Sequence, residues 1–267
     1  MKVFDMHTHC FPDKLAVKAL PTLAGICKNP YYGDGTYRDL CEKTTAAGCT
    51  GAMLLHIATK PTQMTAVNNF AAECQKGNFY SFGSVFPTAE NAVEELHRIK
   101  TLGLKGVKLH PDYQGFFVDD PAVFPVYAAA AELGLPVVFH TGFDPYSPDI
   151  IHCHPKALAA AADRFPHLTI IAAHMGGMRM DSEVEKYLVG KPNVYFDTAF
   201  TTYSMNAARC AALIRMHGAD KVFFATDFPW STIDTELALL RECGLTEAEL
   251  EMICAKNAER VFGITLA

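Results

Sequence analysis

The strongest constraint on the fold is a rhythm in which a short apolar run is followed by a longer Ala/Leu/Glu-rich amphipathic stretch. The apolar runs fall at residues 2–9, 51–58, 79–86, 104–110, 136–141, 168–174, 193–198 and 221–227. Helical patterns separate them, such as Ala89 to Ile99, and Ala122 to Leu133 closed by Gly134, where a glycine suits a helix C-terminus. Val137-Val138-Phe139 and Thr169-Ile170-Ile171-Ala172 are continuously apolar, as parallel strands buried on both faces require. Eight strands alternating with helices predict an α/β fold, a single-domain (β/α)8 TIM barrel over residues 1–267. A chain of 267 residues has the length that such a barrel needs, roughly 250. The competing arrangement, a doubly wound open sheet, lacks the glycine-rich GxGxxG turn after its first strand. The link after the first run is long and carries Pro12, Pro21, Pro30 and Tyr31-Tyr32-Gly33-Asp34-Gly35. It reads either as part of a lid over the active-site face or as a tolerated surface insertion.

Half of the residues are hydrophobic and 19% are charged, which supports a large core and excludes a disordered chain. The net charge of −6 argues against a broad phosphate-binding surface, so no nucleic-acid partner is expected. Nine scattered cysteines without a CxxC pair read as free thiols of a reducing compartment. No apolar run approaches the roughly 20 residues of a membrane span, and the start has no leader pattern. The expectation is a soluble cytoplasmic protein with a small-molecule substrate and no membrane partner. The apolar fraction is compatible with a homo-oligomer, though no segment marks an interface.

The residues that could carry chemistry sit at strand ends. In Asp5-Met6-His7-Thr8-His9, alternation along a strand puts Asp5, His7 and His9 on one face, where two imidazoles can hold one metal. His140 ends the fifth run, His174 the sixth and Asp227 the eighth. Barrel geometry gathers such positions at the C-terminal mouth. Any one of them alone reads as a satisfied core group; four at equivalent positions do not.

This pattern resembles the amidohydrolase superfamily, and in particular its amidohydrolase-related, decarboxylase-like branch. The resemblance is carried by Asp5-Met6-His7-Thr8-His9-Cys10-Phe11-Pro12, His174-Met175-Gly176-Gly177, Thr226-Asp227-Phe228-Pro229 and Asn257-Ala258-Glu259-Arg260-Val261-Phe262-Gly263. It implies one divalent metal, with zinc the expected ion, held by His7, His9, His140 and Asp227. His174 would stand beside the metal as an acid/base or polarising group. Imidazole and carboxylate ligands suit zinc, which can lower the pKa of a bound water to about 7. Asp227 would accept and pass on that proton.

Lys108, in Gly106-Val107-Lys108-Leu109-His110, offers an ammonium to a substrate carboxylate, a carbamylated bridge to a second metal, or a structural ion pair. His110 shares its strand face and either reaches the mouth or is held structurally. Arg179 offers a bidentate clamp for a carboxylate, or a salt bridge to Asp181 or Glu183. Related DNases carry a glutamate where Lys108 stands, which counts against a nuclease. His152-Cys153-His154 is a second HxH that reads as a loop entering a helix. Trp230 walls the pocket or simply packs. His56, His97, His167 and His217 read as structural or surface residues, and no cysteine has a base partner to make it a nucleophile. Three functions remain: a hydrolase using metal-activated water, a non-oxidative metal-dependent decarboxylase, and a metal-stabilised binding protein without turnover.

Overall fold

In the computed structural model, which describes residues 1–266, the eight apolar runs form eight parallel strands. These are β1 (Phe4–Thr8), β2 (Gly51–Leu55), β3 (Phe79–Phe82), β4 (Val107–Leu109), β5 (Val137–Phe139), β6 (Ile170–Ala172), β7 (Val194–Asp197) and β8 (Val222–Phe223). Pairing runs β1-β2-β3 and β4-β5-β6-β7-β8. The gap between β3 and β4 is closed by Gly83 N donating to Gly106 O and Lys108 N donating to Gly83 O. The gap between β8 and β1 is closed by Met6 N on Phe224 O and Asp227 N on His7 O. The result is the closed (β/α)8 barrel that the strand rhythm predicts. The predicted boundary at Ala267 lies outside the described residues.

Alternation sorts the strand side chains into two layers. Val137 and Phe139 on β5, and Ile170 and Ala172 on β6, face outward to the helices. Val138 and Ile171 face inward with Phe4, Met6, Met53, Phe82 and Phe223. Phe262 enters from below, its ring 5.5 Å from Phe82 and 5.3 Å from Phe223, and Ile264 and Leu266 join the same cluster. Each side chain buried this way contributes about 1.5–3 kcal/mol. The floor is therefore solid, and only the C-terminal mouth is open for chemistry.

The long first link is not an irregular loop. Asp13–Cys27 is a helix with Pro21 inside it, ended by Lys28 in a left-handed conformation. Its prolines suggest interruption, because an interior proline removes one helical hydrogen bond, yet Leu20 and Ala16 still pack and hold it. Gly142 sits where two strand-end loops nearly touch. Its φ is +89°, and a Cβ there would meet Met178 N at 2.4 Å. Among the described residues, no helix is long and apolar enough to cross a membrane.

Candidate metal centre and active-site cavity

Three donors converge at the seam between β1 and β8. His7 Nε2 and His9 Nε2 are 3.1 Å apart, and Asp227 Oδ1 lies 3.2 Å from the first and 3.1 Å from the second. The opposite ring nitrogens fix the tautomers. His9 Nδ1 lies 2.8 Å from Leu55 O, which can only accept, and His7 Nδ1 lies 2.9 Å from Asp197 Oδ2. Both Nε2 atoms thus turn lone pairs toward a carboxylate oxygen. Burial holds His7 well below its ordinary pKa, with the Lys108 charge adding to the effect. Burial alone would raise the Asp227 carboxyl, but His7 and His9 outweigh it and hold it below the usual range. Three electron-pair donors without protons between them fit a divalent cation, whose bonds of about 2.0–2.2 Å bring neighbouring ligands to roughly 3 Å. Histidine ligands whose second nitrogen is tied to a carboxylate or carbonyl are the usual supporting arrangement.

Local backbone strain places two of these groups. His174 and Asp227 both have left-handed φ, 60° and 65°, at about 1–3 kcal/mol each. His174 N is held by Asp197 Oδ1 at 2.9 Å, and Asp227 N by His7 O at 2.8 Å. Asp5 does not join the histidines as alternation suggests. The β1–β2 register slips between Asp5 and Thr8, and the Asp5 carboxylate accepts instead from Thr226 N, Thr226 Oγ1 and His7 N. It brackets the seam from below.

A second group adjoins the first. His140 Nδ1 is 3.0 Å from His174 Nε2, and His174 Nδ1 donates to Ala199 O. His140 Nε2 and His110 Nε2 reach Asp144 Oδ2 at 3.2 and 3.4 Å, and the two imidazoles stack with centroids 4.4 Å apart. Of the four metal ligands expected from the sequence, three meet directly, while His140 stands in this neighbouring cluster. Burial lowers His174 to about 4 and raises Asp144 to about 7. Lys108, 1% exposed, points its ammonium at His7 Nε2 at 3.3 Å. Burial lowers it to about 8, although Asp197, Asp227 and Asp144 pull it upward.

His7, His9, Lys108, His110, His140, Asp144, His174 and Asp227 line a cavity of about 620 Å³, with mostly apolar walls that include Phe11, Leu15, Phe70 and Trp230. That volume suits a small organic ligand. Arg179 lies outside it, on the exposed rim between the Phe143 and Tyr203 rings, each 4.7 Å away, and bonds Tyr203 OH rather than Asp181 or Glu183. His154 caps the helix Pro155–Arg164, and His152 holds Asp112, so the second HxH is a helix entrance. His97 and His167 are exposed, whereas His217 and His56 are buried. Sequence reasoning overlooked Asp197 and Asp144, and it read His56 as a structural or surface residue. Asp197 carried the same signal as Asp227, an acid ending an apolar run. Asp144 follows His140 within a loop and carried none.

The amidohydrolase family model matches residues 4–264. The fold is similar to a TIM-barrel protein from Bordetella bronchiseptica, at TM-score 0.80 and 19% identity over 98% of this chain and 99% of that one. It is similar to 5-carboxyvanillate decarboxylase from Sphingomonas paucimobilis, at 0.70 and 17% over 99% of both chains. It is also similar to a dihydroxybenzoic acid decarboxylase from Polaromonas sp. JS666 holding manganese and the inhibitor 2-nitroresorcinol, at 0.71 and 18% over 98% of this chain and 97% of that one. With the barrel and its strand-end donors, the match over nearly the whole length settles the family: this chain is a member of the amidohydrolase family.

Proposed function

We propose that the protein is a divalent-metal-dependent, non-oxidative decarboxylase of small carboxylic acids, of the hydroxylated aromatic kind named for two of its structural neighbours. The observation that carries this reading is a buried ammonium and a buried, readily protonated carboxyl facing one largely apolar cavity. His7, His9 and Asp227 would hold the ion with His140 as fourth ligand. This donor set accepts zinc, and manganese equally suits its oxygen and imidazole character. When bound, the ion supplies Lewis-acid charge that anchors and polarises substrate oxygens.

Lys108 pairs with an anionic oxygen of the substrate, and His110 stacks between His140 and Tyr113 to keep Asp144 in place. Asp144, whose carboxyl burial pushes up to about 7, delivers its proton to the ring carbon bearing the carboxylate. The bond from that carbon to the carboxylate then breaks, its electrons restore the ring, and carbon dioxide departs. Solvent reprotonates Asp144. His174 presents its unprotonated Nε2 beside the His140 ring, and the apolar walls keep bulk water from the reacting carbon.

A panel of carboxylated phenols, esters, amides and lactones tests this with manganese- or zinc-loaded protein in labelled water. The expected result is carbon dioxide release, with deuterium at the vacated carbon and no ¹⁸O in the product. Incorporation of ¹⁸O without carbon dioxide would establish hydrolysis instead. Absence of any turnover by the metal-loaded protein would favour a binding role.

A further inference from the structure

A second set of metal-ligating side chains lies beside the first, next to His9, and two of its members, Cys10 and His56, line the same cavity. The Sγ atoms of Cys10 and Cys74 and one ring nitrogen of His56 all lie within 4.8 Å of one another, and all three residues are buried. Cys10 follows His9 at the end of β1, His56 follows β2, and Cys74 caps the helix Met64–Glu73. Three elements far apart in sequence thus place soft donors at one point. The Nε2 of His56 is buried without a hydrogen-bond partner, while its ring packs edge-on against Phe70 at 5.4 Å. An orphaned buried nitrogen is destabilising, and a native fold seldom leaves one unused.

From this geometry we propose that Cys10, His56 and Cys74 form a second metal site, distinct from the His7/His9/Asp227 centre, for a thiophilic divalent d¹⁰ cation of the zinc and cadmium class. Thiolate sulfur and imidazole are the donors such cations prefer. Charge balance favours the site in its surroundings of Leu40, Ala52, Leu54 and Phe228. A dication with two thiolates and one neutral imidazole is electrically neutral, so the apolar shell surrounds no net charge. On binding, each thiol releases its proton to solvent, two per cation. Zn–S bonds of about 2.3 Å set neighbouring ligand atoms roughly 3.5–4 Å apart, inside the 4.8 Å within which these three donors lie. The site would brace the bond between His9 Nδ1 and Leu55 O, because Cys10 directly follows His9 and His56 directly follows Leu55.

Cadmium is the probe, because its thiolate bonds give an ultraviolet charge-transfer band that an imidazole/carboxylate centre cannot produce. Full-length reduced protein is first saturated with manganese, then titrated with cadmium. One added equivalent, a thiolate band, unchanged manganese content and a raised melting temperature are expected. The band should vanish in Cys74→Ala and in His56→Phe, each retaining its manganese and its circular dichroism. Two variants guard against a folding defect in either one. No thiolate band in the wild type, or a band that survives both substitutions, would overturn the assignment. So would cadmium that merely replaces manganese without an added equivalent.

Discussion

His7 Nδ1 and Asp197 Oδ2 meet at 2.9 Å with both side chains essentially sealed from solvent. The carboxylate fixes which ring nitrogen carries the proton and so leaves His7 Nε2 as a lone-pair donor. Asp197 Oδ1 meanwhile accepts from His174 N and Ala199 N, so one residue sets two of the histidines. Asp197→Asn can present an amide N–H to His7 Nδ1 and reverse the tautomer. Metal affinity should fall about 10–100-fold, measured by competition with a chelator. Unchanged affinity would show that Asp197 does not orient the ligand.

Lys108 is held in the core at a desolvation cost and placed beside His7, an arrangement that stability alone does not favour. Lys108→Met removes the ammonium while filling the stem's volume. Losing a charged hydrogen bond to substrate, worth about 1.5–3 kcal/mol, should lower kcat/KM about ten- to hundredfold. The melting temperature should stay level or rise, as expected when a functional buried charge is removed. A large drop in thermal stability with normal turnover would make Lys108 a structural residue.

The proposed proton donor sets a pH limb. Burial raises Asp144 from 3.8 to about 7, so its protonated form is lost as pH rises through about 7, and turnover should decline over that range. Asp144→Asn cannot deliver a proton. Its kcat should fall about 10²–10⁴-fold, and the residual rate should no longer show this limb. Steady-state rates from pH 5 to 9 check both outcomes, and a limb that persists in the variant would belong to another group.

His217 couples stability to pH far from the mouth. Its Nδ1 accepts from Gly190 N at 3.2 Å, so Nε2 is the donor to Val194 O at 3.0 Å; the ring stacks on Phe196 at 3.9 Å. A second proton would face the Gly190 N–H. Burial lowers the folded pKa from 6.5 to about 4, so between those values the unfolded chain binds the extra proton. The contribution is full above about pH 6.5 and lost as pH falls toward about 4. Urea midpoints for wild type and His217→Gln should therefore differ most at neutral pH and converge near pH 4. A difference independent of pH would refute the linkage.

The barrel was legible because burial on both faces writes strands such as Val137–Phe139 as unbroken apolar runs. The places of His7, His9, His174 and Asp227 at the barrel mouth were legible because each terminates such a run. The helix Asp13–Cys27 was not, since its three flanking and interior prolines mimic a loop while tertiary contacts through Leu20 sustain it. Asp5 was misplaced because strand alternation assumes an even register, and the slip between Asp5 and Thr8 breaks it. Arg179 carries the charge of a carboxylate clamp, but the ring pair of Phe143 and Tyr203 holds it on the rim. Cys10, His56 and Cys74 have no common spacing. Only three-dimensional closure brings them together.

The seam between β1 and β8 has a consequence for the order of events during synthesis. His9 and Asp227 are 218 residues apart in sequence, so a ribosome-bound chain displays two imidazoles long before the third donor exists. A nascent chain therefore holds the proposed His7/His9/Asp227 centre only in part. Metal selection at that proposed centre would be deferred until the polypeptide has closed on itself, when the finished cavity and not the linear sequence decides which ion stays.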